Sequence, residues 1–303
     1  MIRKTLLLSF VLVIIFIFIT DEFVTQSLVS QDQWQENSIK AQGYLYLTND
    51  SGKSIILGSS LANRLVMDSL PGFRSLAFGG LSIFDGLDIL MHKNDLPRSV
   101  YIEINVVLRP EAKDFSGSLF NPILYGLREE VPALRDGNQP VARVGSLLLS
   151  ALKKITERLR LPFSIIKSDQ HNLRTMKSAS VGIEAGNDNG TFFSKLLQMQ
   201  VKAYSLKPDS VSLVLALNNL DAYIRRLEEK NVRIVFFEMP VNPALCGLPL
   251  AVGIRTAFYN KFPRKVYNYM PGSNCSGYQT KDGIHLNEKD AVKFTQYFRK
   301  ASQ

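Results

Sequence analysis

Two adjacent serines, Ser59 and Ser60, follow an apolar run at residues 55–57 and a glycine at position 58. In alternating α/β folds, the turn after a strand is where ligands and reactive groups are placed. It is also where a helix N-cap lies, and serine is a preferred cap. The local sequence therefore allows a nucleophile or an ordinary turn, and a nucleophile would need a base, an orienting acid and oxyanion donors from elsewhere in the chain.

The choice of base is narrow because the chain contains three histidines. His92 ends a helical pattern, where the helix dipole favours a cation, and His171 lies in a polar stretch where we expect it to be solvated. Neither histidine is therefore our candidate for the base. His285 differs because Asp282 precedes it by three residues. A carboxylate at that spacing can hydrogen-bond the imidazole, fix its tautomer and stabilise its cation, so Asp282 and His285 are the candidate acid and base.

The elements that must position these residues alternate along the chain. Near-continuous apolar strands separated by helical patterns predict an α/β three-layer sandwich with a central parallel sheet. The predicted strands are 54–57, 73–78, 99–108, 232–240 and 265–269, and the predicted helices are 61–70, 81–91, 209–230, 249–262 and 287–300.

A mid-chain insertion at about 109–205 interrupts this alternation and contains an amphipathic stretch at 144–161. It predicts a cap or a partner-facing surface. The expected organisation is a signal-anchor at 1–22, a juxtamembrane segment at 23–53 and one α/β domain at 54–303 that carries the insertion.

The N-terminus predicts export. Arg3 and Lys4 precede an apolar run, which is typical of a secretory signal or of a short signal-anchor. No A-x-A-like cleavage site follows, so we expect a single-pass protein of the cytoplasmic membrane with its catalytic domain on the extracytoplasmic (periplasmic) side. The net charge of +9 favours anionic neighbours, but no nucleic-acid module is visible and we expect no nucleic-acid partner.

Cys246 and Cys275 fit this compartment, because two cysteines outside the cytoplasm could form a disulfide. Two unpaired structural thiols remain an alternative. Their wide spacing, without a histidine cluster, argues against zinc, and the sequence predicts neither a metal nor a cofactor.

The ordered set of these motifs resembles the SGNH (GDSL-like) hydrolase superfamily. Gly-Ser-Ser follows the first core strand, Gly79-Gly80 follows the second, Asn105 lies in the third, and Asp-x-x-His precedes the last helix. The resemblance implies an SGNH/flavodoxin-like fold with Ser60 as the nucleophile. It covers roughly residues 54–108 and 209–300 and none of the insertion.

The same resemblance assigns the oxyanion hole to the backbone N–H groups of Ser60 and Gly80 and to the Asn105 side chain. Gly79 is the alternative to Gly80. The usual Gly-x-Asn-Asp form of the third block is absent, and the run at 186–188 spells part of it inside the insertion. We prefer Asn105 because it lies at the end of a strong strand.

Ser59 stands where the family often has Asp, a departure shared with membrane-anchored relatives in cell-envelope acyl transfer, such as D-alanyl-transfer and alginate-acetylation proteins. The resemblance therefore implies a serine-dependent O-acyltransferase that acetylates an exported polysaccharide. It also implies a partner, a multispanning membrane acyltransferase that supplies the acyl group. The alternatives are an esterase that removes acyl groups and a non-catalytic scaffold in a polysaccharide synthesis complex.

Overall fold

The protein is described by a computed structural model that covers residues 2–22, 32–47, 52–139, 189–272 and 275–302. His171, the stretch 144–161 and the run 186–188 lie outside these residues. By contacts along the backbone, the chain divides into two compact units, one formed by 1–47 and 118–187 and the other by 48–117 and 188–303.

The second unit is an α/β domain with a five-stranded, all-parallel sheet in the order β2-β1-β3-β4-β5. Its strands are β1 (Ser54–Gly58), β2 (Phe73–Ala77), β3 (Ser99–Glu103), β4 (Arg233–Phe237) and β5 (Asn268–Tyr269). Because the chain order reverses beside β1, the carboxyl ends of β1 and β3 border the crevice where open α/β sheets place their ligands.

The helices of the described residues, numbered in chain order, are α1 (Ile2–Glu22), α2 (Gln33–Leu47), α3 (Ile83–Met91), α4 (Lys113–Leu119), α5 (Pro122–Glu130), α6 (Asn189–Tyr204), α7 (Ser210–Glu228), α8 (Pro243–Cys246), α9 (Pro249–Lys261) and α10 (Glu288–Ala301). Short 3-10 turns occur at Ala62–Arg64, Met67–Ser69, Pro132–Leu134, Asp136–Asn138 and Cys275–Gly277.

Helices cover both faces of the sheet, since successive strand side chains point to opposite sides. On one face, Phe298 of α10 packs against Tyr101 and Phe237, with ring centroids 5.5 Å and 5.2 Å apart. On the other, Phe236 packs against Phe258 of α9 at 4.9 Å. The four phenylalanines are each at most 2% exposed, so side chains on both faces of the sheet are buried.

The first unit contains α1, α2, α5 and the 3-10 turns at 132–138. Gln42 of α2 makes two reciprocal hydrogen bonds with Asp136, donating to its carboxylate at 2.7 Å and accepting its backbone N–H at 2.8 Å. Residues 118–139 are thus grouped with α1 and α2, while residues 109–117 and 189–205 are grouped with the sheet. Part of the insertion expected at 109–205 lies outside the described residues.

Two predicted elements near the Ser60 turn differ from the structure. The expected helix at 61–70 is two 3-10 turns, because the Val66 N–H donates to Thr295 Oγ1 of α10 at 3.0 Å instead of continuing a helix. The strand expected at 99–108 ends at Glu103, after which residues 105–108 turn.

Among the described residues, no helix combines the length and apolarity that crossing a membrane requires.

Candidate active site

The side chains of Ser60, His285 and Asp282 form one hydrogen-bonded chain. Ser60 Oγ lies 2.8 Å from His285 Nε2, and His285 Nδ1 lies 2.6 Å from Asp282 Oδ2. The structure thus brings together three predicted residues although Ser60 and His285 are 225 positions apart. The arrangement is that of a nucleophile, a base and an orienting carboxylate, and the partial exposure of the His285 side chain, 23%, leaves it within reach of solvent.

The loop that carries Asp282 and His285 is a tight turn closed by its own backbone. Asp282 Oδ1 accepts the N–H groups of Ile284 and His285, at 3.1 Å and 2.8 Å, while Lys281 N–H donates to the His285 carbonyl at 2.9 Å. Gly283 has a φ of 99°, a conformation that favours glycine. The turn therefore fixes the carboxylate and the imidazole in one local geometry.

Two neighbouring elements hold this loop. The Asn242 N–H, at the start of α8, donates to the Gly283 carbonyl at 2.9 Å. A Cβ on Gly283 would lie 3.2 Å from both Leu197 Cδ1 and Gln200 Cγ, which belong to α6. The closing of the loop against α6 thus depends on the small size of Gly283 as well as on its φ.

The charge on Asp282 is stabilised despite partial burial. Burial acts to raise the pKa of this carboxyl, but hydrogen bonds from the His285 ring, from the His285 N–H and from the Ile284 N–H, together with the histidine charge, hold it below its usual range. Asp282 is consequently an anion at neutral pH, as a group that orients an imidazole and stabilises its cation must be.

The two serines of the opening motif have different environments. Ser59 is 0% exposed, and its hydroxyl donates to the Glu103 carboxylate at 3.1–3.2 Å and accepts the Leu61 N–H at 3.1 Å. Ser60 is half-buried, and its hydroxyl faces the imidazole of His285. Of the two, Ser60 is the one whose proton the base can take, while Ser59 is internal to the turn.

Glu103, at the end of the central strand β3, organises the turn that carries Ser60. Besides the Ser59 hydroxyl, its Oε2 accepts the backbone N–H groups of Ser59 at 2.8 Å and Ala62 at 3.2 Å. Its side chain is fully buried, and burial raises the pKa of this carboxyl against the opposing effect of the hydrogen bonds. A buried carboxylate with these donors determines the path of the backbone on both sides of Ser60.

Gly58 is required by this arrangement. A Cβ at position 58 would lie 2.5 Å from the Ala62 Cβ and 2.6 Å from Glu103 Oε2, distances that real Cβ atoms do not tolerate. The glycine before the two serines therefore permits the close approach of Glu103 to the turn.

Two of the predicted oxyanion donors present backbone N–H groups without an internal partner. Within the described residues, neither the Ser60 N–H nor the Gly80 N–H donates a hydrogen bond to the protein. Gly80 is exposed and has a φ of 73°, a backbone conformation that favours glycine. Its conformation alone therefore explains why a glycine occupies this position, whatever its chemical role. Gly79, the alternative, is buried.

Asn105 has a structural contact that the sequence did not indicate. Its Nδ2 donates to the Met239 carbonyl at 2.9 Å, and its Oδ1 accepts the Met239 N–H at 2.7 Å. This pair of bonds links the ends of β3 and β4 and fixes the amide. One N–H of the NH₂ group is used in this way, and the other has no partner among the described residues.

Cys246 and Cys275 form a disulfide that joins α8 to the 3-10 turn at Cys275–Gly277. Through α8, this bond lies on the segment whose Asn242 supports Gly283. His92, by contrast, ends α3, where its Nδ1 lies 2.8 Å from the Asp88 carbonyl, and it takes no part in the site.

Glu103 was missed by the sequence reasoning, although a signal for it exists. It is the single charged residue of β3, whose five residues are all buried. A carboxylate in a strand with this pattern must be paired or hydrogen-bonded, which indicates a partner in the turns at the carboxyl edge of the sheet.

No protein-family model matches this chain, and no curated protein matches it in sequence. The function of the protein therefore has to be inferred from the geometry of the site and from its motifs.

Proposed function

We propose that this protein is a serine-dependent acyltransferase of SGNH type. The observation that carries the proposal is the continuous hydrogen-bonded chain from Ser60 Oγ through the His285 ring to Asp282, with spacings of 2.8 Å and 2.6 Å. Such an arrangement lets His285 Nε2 take the hydroxyl proton while Ser60 attacks an ester carbonyl. The order of the motifs along the parallel sheet supports an SGNH/flavodoxin-like assignment of the fold.

The oxyanion of the tetrahedral intermediate would be held by the N–H groups of Ser60 and Gly80 and by the second N–H of the Asn105 amide. The loss of one donor of this kind typically costs on the order of a hundred- to a thousandfold in rate. The lack of internal partners for these N–H groups among the described residues supports the assignment.

The proposed reaction is O-acetylation of an exported polysaccharide at the outer face of the cytoplasmic membrane. After the leaving group departs, the acyl group resides on Ser60, and a sugar hydroxyl attacks it with His285 as base. The net charge of +9 favours anionic neighbours, such as an acidic polysaccharide or phospholipid headgroups. A multispanning membrane acyltransferase as acyl supplier is carried over from the motif resemblance alone.

The membrane placement is part of the same proposal. Arg3 and Lys4 open α1, and side chains from Leu6 to Ile15 are largely exposed, among them Leu7 at 65% and Phe10 at 63%. An uncovered apolar helix with a basic N-terminal edge supports a signal-anchor. Fractionation of cells that express the full chain, with extraction by alkali and by detergent, tests this placement.

The direct test of the chemistry is acylation by p-nitrophenyl acetate, followed by mass detection of the modified peptide. We expect an acetyl group on Ser60 and its loss in Ser60→Ala. Ser69→Ala is the matched control, because it removes a serine hydroxyl in the neighbouring 3-10 turn Met67–Ser69, and its Ser60 should still be labelled.

The same experiment separates the alternatives. An acyl-enzyme that transfers its acetyl group to added oligosaccharide supports the transferase, whereas release of acetate that is unaffected by oligosaccharide supports an esterase. No labelling of Ser60 in the folded protein would overturn the catalytic proposal and leave the scaffold interpretation.

A further inference from the structure

Arg64 has no carboxylate partner in the described part of the chain, although it lies beside the Ser60–His285 pair. It ends the 3-10 turn Ala62–Arg64, four residues after Ser60. Its Nε donates to the carbonyl of Leu286, the residue after His285, at 3.2 Å. The guanidinium therefore bridges the turn of the nucleophile and the loop of the base.

The two terminal nitrogens of Arg64 remain available. Among the described residues, neither Nη1 nor Nη2 makes a hydrogen bond or an ion pair. The bond from Nε to Leu286 fixes the plane of the guanidinium, so its outer edge offers N–H donors in a fixed geometry. A guanidinium edge of this kind matches a planar carboxylate or the oxygens of a phosphate.

A second basic residue lies on the loop whose carbonyl Arg64 bonds. Lys281 belongs to the loop of the base, where its N–H bonds the His285 carbonyl. Desolvation and the positive charge of Arg64 lower the pKa of its amine, against the opposing charges of Glu288 and Asp282. The loop of the base therefore carries a basic side chain in addition to the guanidinium that bonds it.

We propose that Arg64, together with Lys281, forms an anion subsite that binds a carboxylate or phosphate group of the acyl acceptor. This inference rests on the proposed function, since it requires an acceptor hydroxyl. It specifies that function, because it makes the acceptor an acidic glycan rather than a neutral one.

The subsite would position the acceptor for the second half of the reaction. The acceptor hydroxyl oxygen attacks the acyl carbon of acyl-Ser60, and His285 Nε2 takes the hydroxyl proton. When the bond between the acyl carbon and Ser60 Oγ breaks, the same proton returns to Oγ. One ester bond forms and one breaks, and no further reactant is needed.

The test uses the full chain in detergent, p-nitrophenyl acetate as donor, and three oligosaccharide acceptors of equal length that are neutral, uronic-acid-containing or phosphorylated. The quantity measured is the ratio of acetyl transfer to an anionic and to the neutral acceptor within one preparation, so that any loss of active protein cancels. We expect this ratio to exceed one and to fall about ten- to a hundredfold in Arg64→Gln, the effect of one charge-assisted contact.

Arg64→Lys is the second variant, because it keeps the charge but loses the planar edge, and we expect an intermediate ratio. Lys230→Gln is the matched control. It removes one positive charge from an exposed position three residues before β4 begins, whereas Ser60 follows the carboxyl end of β1. The ratio for this variant should equal that of the wild type. The preference of the wild type should also weaken as salt is added.

The outcomes distinguish the two proposals. Two results would overturn the subsite and leave the acyl transfer standing. In the first, Ser60 is acetylated but its acetyl group is transferred equally well to all acceptors. In the second, the ratio for Arg64→Gln equals that for Lys230→Gln. If Ser60 is not acetylated, equilibrium binding of the same oligosaccharides replaces the ratio. Anionic binding that depends on Arg64 then supports the subsite without the chemistry, and the absence of such binding overturns both. The carboxylate and phosphate arms identify which anion the site prefers.

Discussion

Substitution of Glu103 tests whether a buried carboxylate shapes the turn that presents Ser60. In Glu103→Ala, the backbone N–H groups of Ser59 and Ala62, which now bond Oε2 at 2.8 Å and 3.2 Å, would be buried without an acceptor. Each such group costs about 1–3 kcal/mol, so we expect a loss of about 2–6 kcal/mol in the free energy of unfolding. This is a large part of a typical total stability, and acylation of Ser60 should be lost with it.

Glu103→Gln separates the shape of this residue from its charge. The glutamine carbonyl can accept both N–H groups that Oε2 accepts now, so the turn should form and Ser60 should remain reactive. The pH dependence carries the sharper prediction. Because burial raises the pKa of Glu103 in the folded protein, the wild type loses stability as pH rises from the ordinary value of 4.5 to the raised value, whereas the glutamine variant has no such loss.

The measurement is guanidinium unfolding of both proteins across a pH series. The stability of Glu103→Gln minus that of the wild type should increase with pH within this window, by at most about 1.4 kcal/mol per pH unit, and become constant above it. A difference that does not change with pH would refute the claim that burial disfavours the charge. An alanine variant that loses less than about 1 kcal/mol would show that the turn does not depend on Glu103.

Three further predictions concern neighbouring features. Gly58→Ala should lower the unfolding free energy by about 1–3 kcal/mol and slow acylation, because its Cβ would lie 2.6 Å from Glu103 Oε2; thermal melts and burst kinetics check both effects. Asp282→Asn should reduce turnover on the order of a thousandfold or more. Since the pKa of Asp282 is lowered in the fold, its stabilising effect should be present above the ordinary value of 3.8 and disappear as pH falls through the lowered value, which acid titration of both proteins by circular dichroism would reveal. Replacement of Cys246 and Cys275 by serine should cost about 3–4 kcal/mol for a closed loop of 29 residues, measured as the shift between oxidised wild type and variant in denaturant unfolding.

The strands were predictable because their apolar runs are nearly continuous, and all five lie within or next to the predicted ranges. The positions at which the strands end were less predictable, because they depend on tertiary contacts. The predicted strand at 265–269 is reduced to Asn268–Tyr269, because the N–H groups of Val266 and Tyr267 bond the Pro263 carbonyl in a turn. No periodicity in the local sequence indicates such a bond.

The candidate site divides in the same way. Asp282 and His285 could be paired from their spacing, and Ser60 could be expected beside them through the resemblance of the ordered motifs to the SGNH superfamily. The contacts that fix these residues could not be predicted, because their partners lie far away in sequence. Glu103 is 44 positions from Ser59, and Met239, which holds the Asn105 amide, is 134 positions away.

The separation of Ser60 and His285 by 225 positions also has a consequence for the biosynthesis of the protein. During translation, the segment that carries Ser60 is made before the segment that carries His285. Until residues 282–286 have been synthesised and α10 has docked on the sheet, the hydroxyl at position 60 is an ordinary alcohol. In the mechanism proposed above, Ser60 would therefore gain its base only when both segments have folded together.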